Sequence, residues 1–369
     1  MKKLAIVTVG DIRYYGGAEK YTIELVKRIK DNFDVTVYSF IDNRILKLST
    51  EEVKEMLGSA SLVFYKVIGK GMVRIPVTKA GLKAYLSMMK YDCVYFIDYG
   101  MVPILFILAS TKLGKARSIL GLHDPGLIKK IHSHWLYRIF FFLLPNLHVL
   151  NSDTFETLRS IGYPGKIYFI PNFLYLNKNN NYHSETGKFI VIFVGRLLTY
   201  HKGIDLLEDI IIKTLKINNK IEFHIVGSGG DGAVIINRLK SQYPSNVLYM
   251  GFLSEHDLGE EYKRASIAII TSRFEALPAV VLEAQSYGLP VIAFDIGGVN
   301  DIISDSSGSL IKAFDINLFS NEILKYFNMW SEGILNLEMR NSIVRNLRSK
   351  FSDESIIPQI VDMFTGRRA

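Results

Sequence analysis

Cysteine and long apolar runs are scarce in this sequence of 369 residues. Its one cysteine, Cys93, excludes a disulfide framework and a zinc site built from cysteines, and a single thiol fits a reducing compartment. The longest apolar runs, such as residues 101–109, are far shorter than the ~18 residues that a membrane-spanning helix needs. The first strand-like stretch ends at Gly10 without a small-residue cleavage site, so we expect no signal peptide.

The sequence also lacks the spacings that are typical of metal and nucleic-acid sites. It contains no H-E-x-x-H motif, and His132 and His134 do not share a helical face at the i, i+4 spacing. We therefore expect no bound metal. Zinc-finger spacings and RNA-binding signatures are missing as well, so we expect no nucleic-acid partner.

The composition is that of a folded protein, with 49% hydrophobic and 22% charged residues. At roughly 100–200 residues per domain, the length predicts two domains. The charge is uneven, because residues 1–170 hold 24 basic and 14 acidic groups and the remainder holds 20 and 22. A basic first half is expected to meet an anionic partner, such as a membrane surface or a phosphorylated substrate. The alternative is that the lysines only keep the protein in solution.

Two segments of the basic half have amphipathic character. In residues 79–90, Lys79, Lys83 and Lys90 fall near one helical face, and residues 134–144 form a dense aromatic run. A basic face beside exposed aromatic side chains is typical of helices that lie in a lipid interface. The alternative is a buried core helix, which we favour for residues 135–144 because apolar runs of ~10–14 residues are usually buried.

Strand-like runs alternate with helical patterns along the chain, and the alternation begins anew after Pro171. The predicted strands are residues 4–9, 35–40, 61–67, 93–97, 117–120, 148–150, 189–194, 221–226, 247–250, 267–271 and 290–293. This alternation predicts an α/β fold with two doubly wound parallel sheets. We expect domains at 1–171 and 189–352, a polar linker at 172–188, and ligands bound in a cleft at the carboxyl ends of the strands.

Glycines follow several of the predicted strands. Gly16 and Gly17 precede a helical pattern, and glycine there lets backbone amides approach a ligand at the positive end of the helix. An ordinary strand-to-helix turn would have the same sequence. Residues 227–232 match G-x-G-x-x-G, but the acidic residue expected about 20 positions later is missing. We therefore interpret Gly227 as part of a loop that faces a phosphate or nucleoside, not as a nicotinamide site.

Two cations follow the strand at residues 189–194. Gly195 permits a turn, Arg196 comes directly after it, and Lys202 precedes the next helical pattern. Arginine can bind a phosphate through two parallel hydrogen bonds, and lysine acts as a point charge, so the pair could clamp a diphosphate. The alternative is two solvated surface cations.

The most specific pattern is the segment SRFEALPAVVLEA, residues 272–284. Glu275 is predicted in a loop after a buried strand, Glu283 about two turns into the following helix, and Pro278 in the first turn of that helix. Free amides at the helix start could hold a phosphate, and ionised carboxylates accept hydrogen bonds from sugar hydroxyl groups. The structural alternative is that Glu275 is a helix cap and Glu283 a solvated helix residue.

Together these motifs resemble the retaining glycosyltransferases of family 4, the group 1 transferases with the GT-B fold. The similar segments are residues 16–29, 194–207 and 272–303. The resemblance implies two Rossmann-like domains that face each other across a cleft, with an acceptor bound by the first and a nucleotide-sugar donor by the second. It also implies that the final helix, within residues 353–369, crosses back to the first domain.

The resemblance also implies individual roles. Arg196 and Lys202 would clamp the donor diphosphate, and Glu275 would hold hydroxyl groups of the donor sugar. Glu283 would bind the ribose, and His123 would lie near the reacting sugar. The expected catalytic residues are His123, Glu275, Arg196 and Lys202, and the expected donor-binding residues are Gly16, Gly17, Gly195, Arg196, Lys202, Gly227, Glu275, Ala276, Leu277, Pro278 and Glu283.

The implied activity is transfer of a hexose or N-acetylhexosamine from a UDP- or GDP-linked donor, with retention of configuration. The acceptor would be a carbohydrate or a lipid-linked oligosaccharide of a bacterial surface polysaccharide, and no metal or other cofactor would be needed. The enzyme would work in the cytoplasm, peripherally on the inner face of the cell membrane. Three alternatives remain, namely a nucleotide-sugar epimerase, a non-catalytic sugar-nucleotide-binding subunit and a dinucleotide oxidoreductase.

Overall fold

The computed structural model describes residues 1–8, 10–41, 46, 48–66, 79–97, 101–113, 116–123, 135–174 and 187–367. The chain divides into two compact units, Met1–Phe173 with Asp353–Ala369, and Leu174–Ser352. Most of the predicted linker, the histidines at 132 and 134, and the side chain of Lys79 lie outside the described residues.

The first unit is built on a seven-stranded sheet with the order β3-β2-β1-β4-β5-β6-β7. Its strands are β1 (Lys2–Val7), β2 (Phe33–Ile41), β3 (Ser61–Lys66), β4 (Cys93–Phe96), β5 (Arg117–Leu122), β6 (Asn146–Val149) and β7 (Lys166–Phe169). All neighbouring pairs are parallel. The prediction of a doubly wound parallel sheet is confirmed, and β7 is a strand that the sequence analysis missed.

Helices cover this sheet. They are α1 (Gly17–Ile29), α2 (Thr50–Leu57), α3 (Lys79–Met88), α4 (Met101–Lys112), α5 (Trp135–Phe142) and α6 (Ser152–Ser160). The start of α2 is fixed by a capping box, in which Ser49 Oγ accepts from the Glu52 amide and the Glu52 carboxylate accepts from the Ser49 amide. Helices α3, α4 and α5 bury Tyr85, Phe106 and Phe141 in one core with the strands.

The segment at residues 135–144 has two different faces. Phe141 and Leu144 are buried in the core, whereas Ile139 is 50% and Leu143 60% exposed. The core interpretation therefore holds for one side of α5, and the other side presents apolar groups to solvent. Among the described residues, none of the helices combines the length and the apolar character needed to span a membrane.

The C-terminal helix, Asp353–Thr365, belongs to the first unit. Its residues Ile360 and Phe364 are buried, and the Phe364 ring packs against Phe33 at 5.9 Å between centroids. At its start, the Asp353 carboxylate accepts a 2.8 Å hydrogen bond from Arg28 of α1. The return of the last helix to the first unit, which the resemblance implied, is thus observed.

The second unit has a six-stranded parallel sheet with the order β10-β9-β8-β11-β12-β13. Its strands are β8 (Phe189–Val194), β9 (Ile221–Val226), β10 (Val247–Gly251), β11 (Ile267–Ile270), β12 (Val291–Phe294) and β13 (Gly308–Ile311). Its helices are α7 (Thr199–Lys202), α8 (Ile204–Ile217), α9 (Ala233–Gln242), α10 (Glu255–Arg264), α11 (Ala279–Ser286), α12 (Ile316–Ser331) and α13 (Leu337–Phe351). Strand order reverses at β1 in one sheet and at β8 in the other, which is where ligands of such sheets bind.

Candidate functional site

The candidate residues of the second unit follow neighbouring strands at the carboxyl edge of its sheet. Gly195 and Arg196 follow β8, Gly227 follows β9, and Glu275 lies in the loop after β11. Since β8 lies between β9 and β11, these three loops are adjacent. Residues predicted from separate parts of the sequence are therefore placed around the point where strand order reverses.

The loops after β8 and β9 pack backbone against backbone. The Gly195 amide donates to the Val226 carbonyl at 3.0 Å, and the Leu197 amide donates to the Gly229 carbonyl at 2.9 Å. A Cβ atom at Gly227, where φ is +142°, would lie 1.7 Å from the Gly195 carbonyl oxygen. Glycine at 227 is therefore required by this close approach of two loops, whether or not a ligand is also present.

Lys202 and Glu275 form an ion pair at the centre of this edge. Lys202 Nζ lies 2.5 Å from Glu275 Oε1, and Ser272 Oγ donates to the same oxygen at 2.6 Å. Only 16% of the Lys202 side chain and 10% of the Glu275 side chain are exposed. Arg196 is exposed and is not part of this pair. The structure thus joins two of the predicted residues into one nearly buried charge pair.

The backbone of Lys202 is fixed by the end of β11. Helix α7 ends at Gly203, which has a left-handed conformation with φ +64° and ψ +43°. A Cβ atom at Gly203 would lie 2.0 Å from the Thr271 carbonyl oxygen, and Thr271 Oγ1 donates to the Lys202 carbonyl at 2.8 Å. Glycine at this position therefore allows the short helix to press against the strand that leads to Glu275.

Arg273, in the loop after β11, binds α7 and the first turn of α8. The sequence motifs did not indicate a role for it. Its guanidinium donates to both carboxylate oxygens of Asp205, at 2.8 and 2.5 Å, and to the Thr199 carbonyl at 3.1 Å. The His201 ring stacks on Phe274 with centroids 4.4 Å apart. Burial, followed by the charge of the adjacent lysine, lowers the pKa of His201. The imidazole is therefore neutral at pH 7.

Helix α11 begins later than predicted. Pro278 is the N-cap, with φ −72° and ψ +108°, so it precedes the first turn and does not belong to it. Glu283 is half-buried just over one turn into the helix, not two turns. The reason is the loop before the helix, in which the Glu275 carbonyl accepts from the Gly298 amide at 3.4 Å and Ala276 and Leu277 are buried. Pro278 provides no side-chain cap, so the helix start stays electropositive beside Glu275.

No group of three or more histidine, cysteine, aspartate or glutamate side chains suited to a metal occurs within the part of the chain that the structure describes. Positively charged groups at the strand ends of the second unit include Arg196 after β8, Lys202 in α7 and Arg273 after β11, together with the start of α11.

In the first unit, Gly16 and Gly17 start α1 as predicted from the sequence. Gly16 is the N-cap, and its amide donates to the Glu19 carboxylate at 3.1 Å. A Cβ atom at Gly16 would lie 2.8 Å from that carboxylate, the far end of a flexible side chain, so packing disfavours a larger residue here without excluding it. A Cβ atom at Gly17 would meet nothing within 4 Å among the described residues, so the fold does not itself require glycine there.

His123 lies directly after β5 in a chain of hydrogen bonds. Its Nε2 is 2.8 Å from Tyr95 Oη, which is 2.7 Å from His148 Nδ1, and His148 Nε2 is 2.8 Å from the Ile170 carbonyl oxygen. The Tyr21 ring packs on His123 with centroids 4.8 Å apart. Burial, and then the neighbouring His148, hold the pKa of His123 well below its ordinary value. Tyr95 and His148 lie inside strands, where no sequence pattern marks them.

Comparison with known proteins supports a single class of enzyme. The family model for glycosyl transferases group 1 matches residues 177–350. The poly(ribitol-phosphate) alpha-N-acetylglucosaminyltransferase of Staphylococcus aureus is 25% identical over 389 residues, covering 92% of this chain and 73% of that protein. The amylovoran biosynthesis glycosyltransferase AmsD of Erwinia amylovora is 27% identical over 320 residues, covering 83% of this chain and 84% of that protein.

Solved structures of the same architecture cover nearly the whole chain. The lipopolysaccharide outer core galactosyltransferase WaaB superimposes with a TM-score of 0.74 at 17% identity, over 99% of this chain and 100% of that one. Anabaena Alr3699/HepE in complex with UDP-glucose superimposes with a TM-score of 0.76 at 17% identity, again over 99% and 100%. At this level of identity the likeness establishes the fold, which is GT-B.

Proposed function

We propose that this chain, a glycosyltransferase whose second unit matches the group 1 family model, is a retaining family 4 enzyme. It transfers a hexose or N-acetylhexosamine from a UDP- or GDP-linked donor to a sugar acceptor. The observation that carries the proposal is the Lys202–Glu275 pair, one cation and one carboxylate on the segments that lead into α8 and α11. These are the groups that recognise the two parts of a nucleotide sugar, its diphosphate and its hexose.

The chemistry follows from where charge develops. The bond between the anomeric carbon and the diphosphate oxygen breaks, a bond to the acceptor oxygen forms on the same face, and the acceptor proton leaves with the diphosphate. Negative charge grows on the leaving group, so cations that face it stabilise the transition state more than the ground state. We assign this role to Lys202, Arg196 and the amides at the start of α11.

The remaining residues bind the other parts of the donor. Lys202 and Glu275 are hydrogen-bonded to each other. A bound diphosphate shares the lysine, and hydroxyl groups of the sugar donate to the carboxylate. Glu283, half-buried in α11, holds the ribose. Gly17, where a side chain is not excluded by packing, leaves its backbone accessible to the leaving phosphate.

The acceptor proposal rests on the relatives and on the charge of the first unit. The names of the two curated relatives connect them to ribitol-phosphate polymers and to amylovoran biosynthesis. We therefore propose a growing bacterial surface polysaccharide as the acceptor, in a polymeric or lipid-linked form. The excess of basic residues in positions 1–170 suits the phosphate groups of such an acceptor.

A surface of the first unit suits attachment to a membrane. We call it the leucine surface, and its members are exposed apolar side chains of α3, α4 and α5, 45–60% accessible: Leu82, Leu86, Leu105, Ile139 and Leu143. The three helices are neighbours, because Tyr85 of α3 packs on Phe106 of α4 at 5.6 Å, and α4 contacts α5. Exposed clusters of this kind are uncommon in proteins without a binding partner.

The charges around the leucine surface favour anionic lipid as that partner. Residues 79–90, 101–113 and 135–144 contain no aspartate or glutamate, and among their described side chains the exposed cations are Lys83, Lys90, Lys112 and Arg138. Apolar groups that enter the interface, together with cations at headgroup level, are typical of peripheral membrane binding. We therefore propose that the enzyme works on the cytoplasmic face of the cell membrane.

The donor site is tested with Lys202→Met. Loss of a hydrogen bond to a charged phosphate is worth about 1.5–3 kcal/mol, so we expect donor affinity to fall roughly 10- to 150-fold. Calorimetry with the UDP- or GDP-sugar that raises the melting temperature of the parent measures the change. Lys325→Met removes an exposed lysine from the same unit and is the matched control, expected to bind like the parent. Unchanged affinity in Lys202→Met would remove the site assignment.

The reaction itself is tested by analysing products. A transferase consumes donor in proportion to glycosylated acceptor, whereas an epimerase changes the donor sugar without acceptor, and NMR of the nucleotide sugar separates the two results. A protein that binds donor but never changes it would be the non-catalytic subunit.

Membrane attachment is tested by sedimentation with two kinds of vesicle, one of neutral lipid alone and one that also contains anionic lipid. Leu82→Ser with Leu86→Ser should abolish binding to anionic vesicles, and binding by the parent should weaken as salt rises. Leu318→Ser with Leu337→Ser, at exposed positions of the second unit, is the control. Equal binding of the parent to neutral vesicles would contradict the role of the cations.

A further inference from the structure

We propose that Tyr95 and His148 are positioning residues that hold His123 as a neutral imidazole protonated on Nε2, so that its Nδ1 accepts a hydrogen bond from a substrate hydroxyl group. The place of His123 near the bound sugar is the one that the family resemblance implies, and it rests on the proposed function. The tautomer does not, because hydrogen bonds within the first unit determine it.

The Ile170 carbonyl determines which nitrogen of His148 carries the proton. His148 Nε2 lies 2.8 Å from the Ile170 carbonyl oxygen, which can only accept a hydrogen bond, so Nε2 carries a proton. Burial lowers the pKa of His148 to about 4, so at pH 7 the ring holds no second proton. His148 Nδ1 is therefore an acceptor.

The direction of each hydrogen bond then follows. Tyr95 Oη lies 2.7 Å from His148 Nδ1 and must donate its proton there. Burial raises the pKa of Tyr95 well above its ordinary value, so the phenol keeps that proton. The same oxygen is 2.8 Å from His123 Nε2 and has only lone pairs left to offer, so His123 Nε2 is the donor.

His123 is neutral as well, which leaves Nδ1 without a proton. Its pKa lies well below the ordinary value because of burial and of His148. Among the residues that the structure describes, the titratable groups that face it are Tyr95 on β4, His148 on β6 and Tyr21 on α1, and burial raises the pKa of Tyr21. None of the three is charged at pH 7, so nothing among them stabilises an imidazolium.

The sheet provides the space for this chain of hydrogen bonds. Tyr95 and His148 lie on β4 and β6, the two neighbours of β5, and Gly121 of β5 is the register partner of His148. A Cβ atom at Gly121 would lie 2.5 Å from Tyr95 Oη and 2.9 Å from its ring carbon Cζ. Glycine at this position thus lets the Tyr95 hydroxyl reach across β5 to His148.

The tautomer decides what His123 can bind. An unprotonated Nδ1 attracts the O–H of a sugar and repels phosphate oxygens, which are acceptors themselves. In contrast to Lys202, His123 therefore recognises a hydroxyl group and not the diphosphate. Tyr95 and His148 act on the substrate only through this imidazole, because the hydrogen bond at one ring nitrogen determines whether the other carries a proton.

The tautomer is read directly by ¹⁵N NMR of imidazole nitrogens at pH 7, with His123→Asn to assign the signals. We expect the Nε2–H form of His123 in the parent protein. Tyr95→Phe removes the acceptor and should give a mixture of tautomers. His148→Asn keeps an acceptor oxygen near the Nδ1 position and should retain the Nε2–H form, whereas His148→Leu should not. An Nδ1–H form in the parent, or an unchanged form in both Tyr95→Phe and His148→Leu, would overturn the proposal.

Binding measurements show whether the tautomer matters to the ligand. Losing one hydrogen bond between neutral groups should weaken the intact nucleotide sugar about 2- to 10-fold in Tyr95→Phe, while free nucleoside diphosphate binds as in the parent. A general structural defect would weaken both ligands equally, and that result refutes the role. His148→Asn should recover parent affinity for the sugar. If no nucleotide sugar binds any variant, the proposed function fails, but the NMR result still decides the tautomer.

Discussion

The buried histidine His148 makes the first unit sensitive to acid. Its pKa falls from 6.5 to about 4 because burial disfavours the imidazolium, although the Ile170 carbonyl opposes this shift. Above pH 6.5 the residue is neutral in both the folded and the unfolded chain and costs nothing. As the pH falls below 6.5, only the unfolded chain takes up the proton. Stability is therefore lost between pH 6.5 and about 4.

The size of the loss follows from the two pKa values of His148. A difference of 2.5 units, at about 1.4 kcal/mol per unit, gives a full effect between about 3 and 4 kcal/mol in the free energy of unfolding. Between pH 7 and pH 5 the same linkage gives about 2 kcal/mol, before most carboxylates titrate. At a urea m-value of about 2 kcal/mol/M, the unfolding midpoint of the first unit should fall by about 1 M.

Urea unfolding at pH 7 and pH 5 measures this loss. The chain has two tryptophans, Trp135 and Trp330, so Trp330→Phe leaves a single fluorescent reporter in the first unit. In this background His148→Asn cannot be protonated, and its midpoint should change about 1 M less between the two pH values. His256→Asn, at a histidine that is 83% exposed, is the control. If His148→Asn loses as much stability as its parent, His148 is not held neutral by burial and the reasoning fails.

Three further outcomes follow from the second unit. Gly203→Ala should lower the melting temperature of the second unit far more than Gly333→Ala. Both positions have positive φ, but only a Cβ atom at residue 203 would lie against a backbone oxygen, that of Thr271. Equal losses in the two variants would show that the dihedral angle alone matters. Gly333→Ala should cost about 1–2 kcal/mol, the price of a left-handed conformation, in denaturant unfolding. Arg273→Lys should change the unfolding free energy by less than about 1 kcal/mol, because Asp205 is 42% exposed. It should still weaken donor binding in calorimetry, because the forked hydrogen bonds to Asp205 of α8 and those to the Thr199 and Tyr200 carbonyls of α7 are lost; parent-like donor affinity would contradict that role.

The buried strands could be predicted from sequence because a strand covered on both faces is a continuous apolar run. Strands β8 and β9 begin and end where the sequence placed them. The two missed strands, β7 and β13, lie at sheet edges. Strand β7 is only partly buried, and β13 contains two apolar residues after a glycine and a serine. Their position depends on neighbouring strands, which a local pattern does not contain.

In the candidate site too, some residues could be predicted from local spacing and others could not. Lys202 and Glu275 could be found because each belongs to a local spacing after a strand, but their ion pair joins residues 73 positions apart. Arg273 belongs to the same segment as Glu275, but its role could not be predicted because its partner Asp205 lies 68 positions earlier. Local spacing thus predicts Lys202 and Glu275 as candidates for binding a ligand, whereas the contacts that hold them in place join residues far apart in the sequence.

In the first unit, the hydrogen bonds of His123 likewise join residues that are far apart in the sequence. Tyr95 lies 28 positions from His123 and 53 from His148, and the three side chains meet only because β4, β5 and β6 are neighbours in the sheet. The state of His123 is therefore determined inside strands, by residues that belong to no loop motif. A substitution at Tyr95 or Gly121 is expected to alter the hydrogen bonding of His123 and to leave every recognisable motif of the second unit intact. If His123 binds the sugar as proposed, specificity for the sugar could change in the interior of the first sheet while the loop motifs of the second unit stay the same.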